Sequence, residues 1–221
     1  MIKCCIFDLD GTLLFTLETI RFYVNRTLEK YGYSPINIEE CRGFVGSGAR
    51  SLMTQAFASR GGISEELFEE AFAYYLADYD SSPYQLTEKY EGIDDLISWL
   101  KSRGIKLAVL SNKQDFSTRA AVNHFFGDPF DVVFGARAGV SLKPAPDACF
   151  EILTSLGCSP DECAYIGDSD VDARTGKNMG AHLNISALWG FRTKEELVAA
   201  GAVCFASSPR DIIKMIEACI D

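Results

Sequence analysis

A chain of 221 residues that is 48% apolar exceeds one average domain and can bury a substantial core, and its ordinary glycine and proline content (18 and 7 residues) excludes a disordered chain. Its 31 acidic against 21 basic side chains give a net charge of −10, which repels phosphate backbones and anionic membranes. Nucleic acid and membrane are therefore not expected as partners, whereas a small anionic substrate stays open because a local site can be positive.

The chain begins with "MIKCCIFDLD", whose apolar stretch is too short for a signal peptide and reads as a strand over 2–7. That run is apolar on both faces, as the strands of a covered parallel sheet are. It ends at Asp8 and Asp10, with Gly11 and Thr12 next. From about 15 to 88 no strand is expected; "TLETIRFYVNRTLEKYG", "ARSLMTQAFASRG" and "SEELFEEAFAYYLADYD" read as helices. A crossover between parallel strands needs only one helix, so residues 15–88 form a helical insertion, expected to sit over Asp8 and Asp10.

From residue 90 onward helix and strand alternate. In "GIDDLISWLKSRG", Ile93, Leu96, Ile97 and Leu100 make one apolar stripe. The strand "IKLAVL" (105–110) is followed by Ser111, Asn112 and Lys113, and "DVVF" (131–134) leads through a loop to Lys143 and Pro144. After the helical "PDACFEILTSLG" comes the strand "ECAYIG" (162–167), then Asp168, Ser169, Asp170 and Asp172. His182 opens a further strand, and "AVCF" (202–205) and the helical "SPRDIIKMIEA" finish the chain. The fold class is α/β: a doubly wound, Rossmann-like parallel sheet core from residues 1–14 and 89–221, carrying a small α-helical cap over 15–88. No apolar run approaches the ~18 residues of a membrane helix. The eight cysteines form no C-x-x-C pair and several lie in core-like runs, so a reduced cytoplasmic protein, monomer or homodimer, is expected.

In open α/β sheets ligands bind beyond the carboxyl ends of the strands, and four loops deliver acids, hydroxyls, an amide and a lysine to that edge. Two like charges ~4 Å apart repel by about 4 kcal/mol at an effective dielectric of 20, so an acidic cluster there needs a cation. Oxygen donors without histidine or cysteine select a hard ion, Mg²⁺, which shares phosphate oxygens with its substrate.

"DLDGT" (8–12), "SN" (111–112), "KP" (143–144) and "GDSDVD" (167–172) together resemble, in order, the four motifs of the haloacid dehalogenase superfamily, and the resemblance covers essentially the whole chain. It implies that Asp8 attacks phosphorus and that Asp10 is the acid and base, its carbonyl helping to bind the metal. It further implies that Thr12, Ser111 and Asn112 bind phosphoryl oxygens, that Lys143 neutralises charge, and that Asp168 binds Mg²⁺ with Asp172 as ligand or supporting residue. The insertion resembles the family's first-type cap. "SNK", "KPAP" and "GSG" (46–48) resemble the phosphoglycolate phosphatase-like branch, while Phe15, Thr16 and Glu91 depart from that branch's pattern.

The implied function is Mg²⁺-dependent hydrolysis of a small phosphorylated metabolite through an aspartyl-phosphate. A sugar-phosphate mutase or an inorganic pyrophosphatase would use the same residues, whereas a dehalogenase would not need Asp10. A phospho-accepting receiver domain is about half this length and takes its phosphate after a third strand, where no aspartate is found. Arg50, near a helix start in the insertion, reads either as a contact for a substrate anion or as an exposed side chain. Asp170 reads as a helix cap, His124 as a helix-end residue, and Phe72, Tyr74, Tyr75, Tyr79, Trp99 and Trp189 as packing residues.

Overall fold

The computed structural model describes residues 1–82 and 84–219. In chain order the first elements are β1 (Cys4–Phe7), β2 (Leu14–Phe15), α1 (Leu17–Lys30), α2 (Ile38–Phe44), α3 (Ala49–Ala58) and α4 (Glu65–Ser81). There follow β3 (Glu88–Lys89), α5 (Ile93–Ser102), β4 (Lys106–Gln114), α6 (Asp115–Phe126), β5 (Val132–Ala136), α7 (Asp147–Leu156) and β6 (Cys163–Gly167). The chain ends with α8 (Asp170–Met179), β7 (Leu183–Ala187), α9 (Lys194–Ala199), β8 (Cys204–Ala206) and α10 (Pro209–Glu217). It divides into two compact units, Met1–Phe15 with Lys89–Asp221, and Thr16–Glu88.

The first unit carries a six-stranded sheet in the order β5-β4-β1-β6-β7-β8, every described pairing parallel. The chain steps outward from β1 to β4 and β5, then returns to the other side of β1 for β6, β7 and β8. The reversal lies between β1 and β6, and it is there that a doubly wound sheet opens its crevice. Pairing Phe7 with Ile166 sets the two strand ends side by side. Both central strands are wholly buried, which explains why they read as continuous apolar runs. One face packs Cys4, Ile6, Ala108, Leu110, Cys163 and Tyr165 against Ile152, Leu153 and Leu156 of α7. The alternate residues point to the opposite face, as the pleat requires.

β4 runs further than the apolar "IKLAVL", to Gln114, and its register against β5 shifts between Leu110 and Gln114. Such an irregularity re-aims side chains at the end of a strand. The second unit consists of α1 to α4. α2 escaped the periodicity because it has seven residues and buries one of them, Cys41; it is set by a capping box between Asn37 and Glu40. The eight cysteines are all free thiols, five of them buried. Among the described residues no helix is long and apolar enough to cross a membrane.

Candidate active site

Asp8 follows β1 directly, its N–H donating to the Ile166 carbonyl of β6 at 2.8 Å. Asp168 follows β6. Asp172 sits in the first turn of α8, placed there by a capping box with Ser169. Ser169 is therefore the cap; Asp170 is the first helical residue, paired with Arg174 and with Arg192 at 3.6 Å. Strand pairing and one helix cap thus bring three carboxylates together: one oxygen of each of Asp8, Asp168 and Asp172 lies within 4.8 Å of the others, all buried.

Lys143 enters this cluster from the loop after β5. Its Nζ lies 2.8 Å from Asp8 Oδ1 and 2.7 Å from Asp172 Oδ1, and its side chain is 3% exposed. Asn112 holds the Lys143 backbone from both sides, its amide donating to the Lys143 carbonyl at 3.1 Å and its Oδ1 accepting from the Lys143 N–H at 2.9 Å. Asp172 is saturated by donors: Tyr165 O–H at 2.9 Å besides Lys143 on Oδ1, and the Ser169 N–H and hydroxyl on Oδ2. Asp168 accepts from Thr12 Oγ1 at 2.9 Å and from the Phe191 N–H at 2.7 Å. A side chain at Gly11 (φ 91°) would place its Cβ 2.3 Å from Asp168 Oδ2, and one at Gly190 would lie 2.2 Å from Asp168 Cβ, so both positions require glycine.

The electrostatics are those of burial around a single ammonium. Burial first, then the Asp172 charge, pushes the Asp168 carboxyl up to about 7. The same two causes drive Asp8 well above the usual carboxylate range, with Lys143 opposing. Burial also acts on Asp172, but Lys143 and the hydrogen bonds from Lys143, Ser169 and Tyr165 outweigh it and hold the group below its ordinary value. Lys143 is raised, because the charges of Asp172 and Asp8 overcome its burial.

These residues fit a divalent cation. Three buried carboxylates share one ammonium. Asp8 Oδ1, apart from its ion pair with Lys143, has no hydrogen-bond partner. All the donors are hard oxygens. The same cluster makes stability depend on pH. Asp168 and Asp8 have folded-state pKa values above their unfolded ones, so the fold binds more protons than the unfolded chain between about pH 4 and 7. Metal-free stability must then fall as pH rises through that window. In EDTA the melting temperature is expected to drop from pH 5 to pH 7.5, each kcal/mol being worth about 2–4 °C at this size. A divalent cation held by these carboxylates would remove most of the drop, because it would take the place of the lost protons. Scanning calorimetry checks this, and a melting temperature that rises with pH in EDTA contradicts it.

Of the residues expected from sequence, Asp8, Thr12, Asn112, Lys143, Asp168 and Asp172 are joined by these contacts. Asp10 is turned to Lys113, whose Nζ lies 3.3 and 3.4 Å from its two oxygens, and Ser111 Oγ accepts the Lys113 N–H at 3.2 Å. Arg50 lies in the helical unit, where Glu69 grips its guanidinium bidentately at 2.7 and 2.8 Å and the Phe72 ring lies 4.7 Å away. Three contributors were not expected from sequence: Tyr165, Gly190 with the Phe191 N–H, and Trp189, whose indole N–H donates to the Thr12 carbonyl at 3.0 Å. For the last two the sequence does hold a signal. "WGF" (189–191) lies just beyond the carboxyl end of β7, the strand that His182 precedes, at the same edge as the other four loops.

Residues 5–185 match the family model of the haloacid dehalogenase-like hydrolases. Phosphoglycolate phosphatase 1 of Pseudomonas aeruginosa is 32% identical over 182 residues, 80% of this chain and 66% of that protein. Phosphoglycolate phosphatase of Rhodospirillum rubrum is 32% identical over 209 residues, 92% of this chain and 86% of that protein. A crystal structure from Lactobacillus delbrueckii subsp. bulgaricus, of a protein provisionally assigned as a phosphoglycolate phosphatase, superposes with a TM-score of 0.91 at 30% identity, covering 97% of this chain and 98% of that one. The family match includes Asp8, Lys143, Asp168 and Asp172, and the chain therefore belongs to the haloacid dehalogenase-like hydrolases, as an enzyme of their phosphoglycolate phosphatase-like branch.

Proposed function

We propose that the enzyme hydrolyses a small phosphorylated metabolite, a phosphoglycolate-like phosphomonoester, with Mg²⁺ and through an aspartyl-phosphate on Asp8. The observation that carries this reading is the buried cluster in which Asp8 Oδ1 faces the Lys143 ammonium at 2.8 Å and stands beside Asp168 and Asp172. A cation held by Asp8, Asp168 and the Asp10 carbonyl would neutralise phosphoryl charge when bound. Asp172, already saturated, supports the site by holding Lys143.

Asp8 attacks phosphorus in line, forming the Asp8–phosphorus bond as the ester bond breaks. Asp10 gives its proton to the leaving oxygen, then accepts one from the water that attacks the acyl phosphate, so the two half-reactions return the site to its starting state. Lys143 keeps its charge throughout and stabilises both the Asp8 oxygens and the phosphoryl oxygens. Thr12, Ser111 and the Asn112 backbone take the remaining phosphoryl oxygens.

The test is phosphate release from 2-phosphoglycolate and a panel of other phosphomonoesters, with Mg²⁺ and with EDTA, together with mass spectrometry of acid-quenched enzyme. Expected is Mg²⁺-dependent turnover and one phosphoryl adduct on the Asp8 peptide. No turnover of any phosphomonoester overturns the reading.

Residues 15–88 belong to this proposal as the cap that reads the leaving group, with Arg50 as its cationic contact. A guanidinium held by Glu69 has to exchange one carboxylate for another, and exposed pairs of this kind contribute little because solvent screens them. Arg50→Ala is therefore expected to raise KM for an anionic substrate by no more than about fivefold, leaving KM for an aryl phosphate unchanged. Steady-state kinetics on both substrates decide, and an equal effect on the two removes Arg50 from the reading.

A further inference from the structure

We infer that Tyr165 is a positioning residue of the hydrolysis: its phenol hydroxyl shares Asp172 Oδ1 with the Lys143 ammonium and so fixes the carboxylate that aims Lys143 at Asp8. The inference rests on the proposed role of Lys143 in stabilising the Asp8 and phosphoryl oxygens.

Tyr165 lies in β6, paired in register with Ile6 of β1, the strand that leads into Asp8. Its ring is fully buried in the core with Cys4, Ile6, Ile152 and Cys163. A phenylalanine would fill the same space, so packing does not call for the hydroxyl. A buried hydroxyl needs a partner, and this one donates to Asp172 Oδ1 at 2.9 Å. Residues two apart on a strand share a face. The next residue on this face is Gly167, where a side chain would place its Cβ 2.3 Å from Asp172 Cβ. The run Tyr165-Ile166-Gly167 thus clears room for the carboxylate and delivers one donor to it.

The other donors to Asp172 do different work. Ser169 holds Oδ2 through its N–H and its hydroxyl, inside the capping box at the start of α8, so it settles the carboxylate against its own helix. Lys143 is the group to be placed: it hydrogen-bonds Asp172 Oδ1 at 2.7 Å and meets Asp8 Oδ1 at 2.8 Å. Tyr165 is the donor that ties Oδ1 to the sheet carrying Asp8. Aspartate χ2 is a broad torsion, so hydrogen bonds and not a rotamer well decide where Oδ1 stands. Two acceptors direct two of the three N–H bonds of the ammonium, and its tetrahedral geometry then directs the third. Freeing Oδ1 from Tyr165 lets the carboxylate turn and carry the ammonium with it.

Tyr165→Phe removes the hydroxyl and keeps the ring. The first readout needs neither metal nor turnover. The ammonium of a buried, paired lysine exchanges slowly with solvent and gives its own proton–nitrogen NMR signal, assigned to Lys143 by its loss in Lys143→Arg. In Tyr165→Phe this signal is expected to shift and to exchange faster. The second readout is steady-state kinetics with Mg²⁺, at a temperature where calorimetry shows the variant folded. There kcat is expected to fall about tenfold with KM unchanged, since Tyr165 touches no substrate. A Lys143 signal that the substitution leaves in place overturns the inference, as does a wild type with no protected Lys143 signal, or a moved signal with unchanged kcat. If wild type turns over no phosphomonoester while the signal still moves, the proposed reaction falls and the placement of Lys143 by Tyr165 stands. Should Tyr165→Phe fail to fold, 3-fluorotyrosine in place of Tyr165 keeps the shape and changes only the donor strength of the hydroxyl. The same two readouts then apply, an unmoved Lys143 signal again overturning the inference.

Discussion

Asp8→Asn is expected to reduce phosphate release to background while the protein stays folded. An amide cannot form the acyl phosphate, and loss of a covalent nucleophile costs on the order of 10⁵–10⁶ in kcat. The structural consequence has the opposite sign. Asp8 is buried and driven well above the usual carboxylate range by that burial and by the charge of Asp172. Making it neutral relieves the repulsion, while Lys143 keeps its 2.7 Å contact to Asp172. In EDTA at pH 7.5 the variant should melt no lower than wild type, and its melting temperature should fall less steeply between pH 5 and pH 7.5, because one of the two raised carboxyls is gone. Kinetics, acid-quench mass spectrometry and calorimetry on one preparation test all three points. A phosphoryl adduct or substantial turnover in the Asn variant would place the nucleophile elsewhere.

That opposition between stability and chemistry explains how far the sequence could be read. The sheet was legible because β1 and β6 are buried on both faces and appear as unbroken apolar runs, and because Asp8 and Asp168 follow strand ends, and Ser111 the apolar run of β4, that a doubly wound topology must align. The chemistry of the edge was legible because four loops brought acids, hydroxyls and a lysine to one place. The division of labour within it was not. That Asp172 is saturated by Tyr165, Ser169 and Lys143 depends on a tyrosine whose ring is core and whose hydroxyl alone reaches the site, and apolar patterning cannot separate the two. Phe191 acts through its backbone N–H, which no residue type announces. Trp189 reads as packing, and its ring does pack on Tyr90 at 6.5 Å; its indole N–H on the Thr12 carbonyl appears only once β7 is placed beside β6. The pairing of Asp10 with Lys113 escaped for a similar reason, since it joins residues more than a hundred positions apart through an irregular strand end.

Lys143→Met should produce the largest combined loss. Its ammonium lies 2.8 Å from Asp8 and 2.7 Å from Asp172, with 3% of the side chain exposed, so its removal leaves the cluster of Asp8, Asp168 and Asp172 without a cation. Breaking a buried pair by deleting one partner costs about 3–5 kcal/mol, which at this size lowers the melting temperature by roughly 6–20 °C. Turnover should fall at least about 10²–10³-fold, the scale of losing one preorganised donor to the transition state. Two conditions separate these losses. Below about pH 5 the unpaired carboxyls take up protons, and with Mg²⁺ a cation replaces the ammonium, so each should recover part of the melting temperature. Neither restores a fixed positive charge between Asp8 and the phosphoryl group, so kcat should stay low in Mg²⁺ even where the fold is intact. If Mg²⁺ restores kcat together with the melting temperature, Lys143 serves the fold alone, and its place in the chemistry would have to be given to another residue.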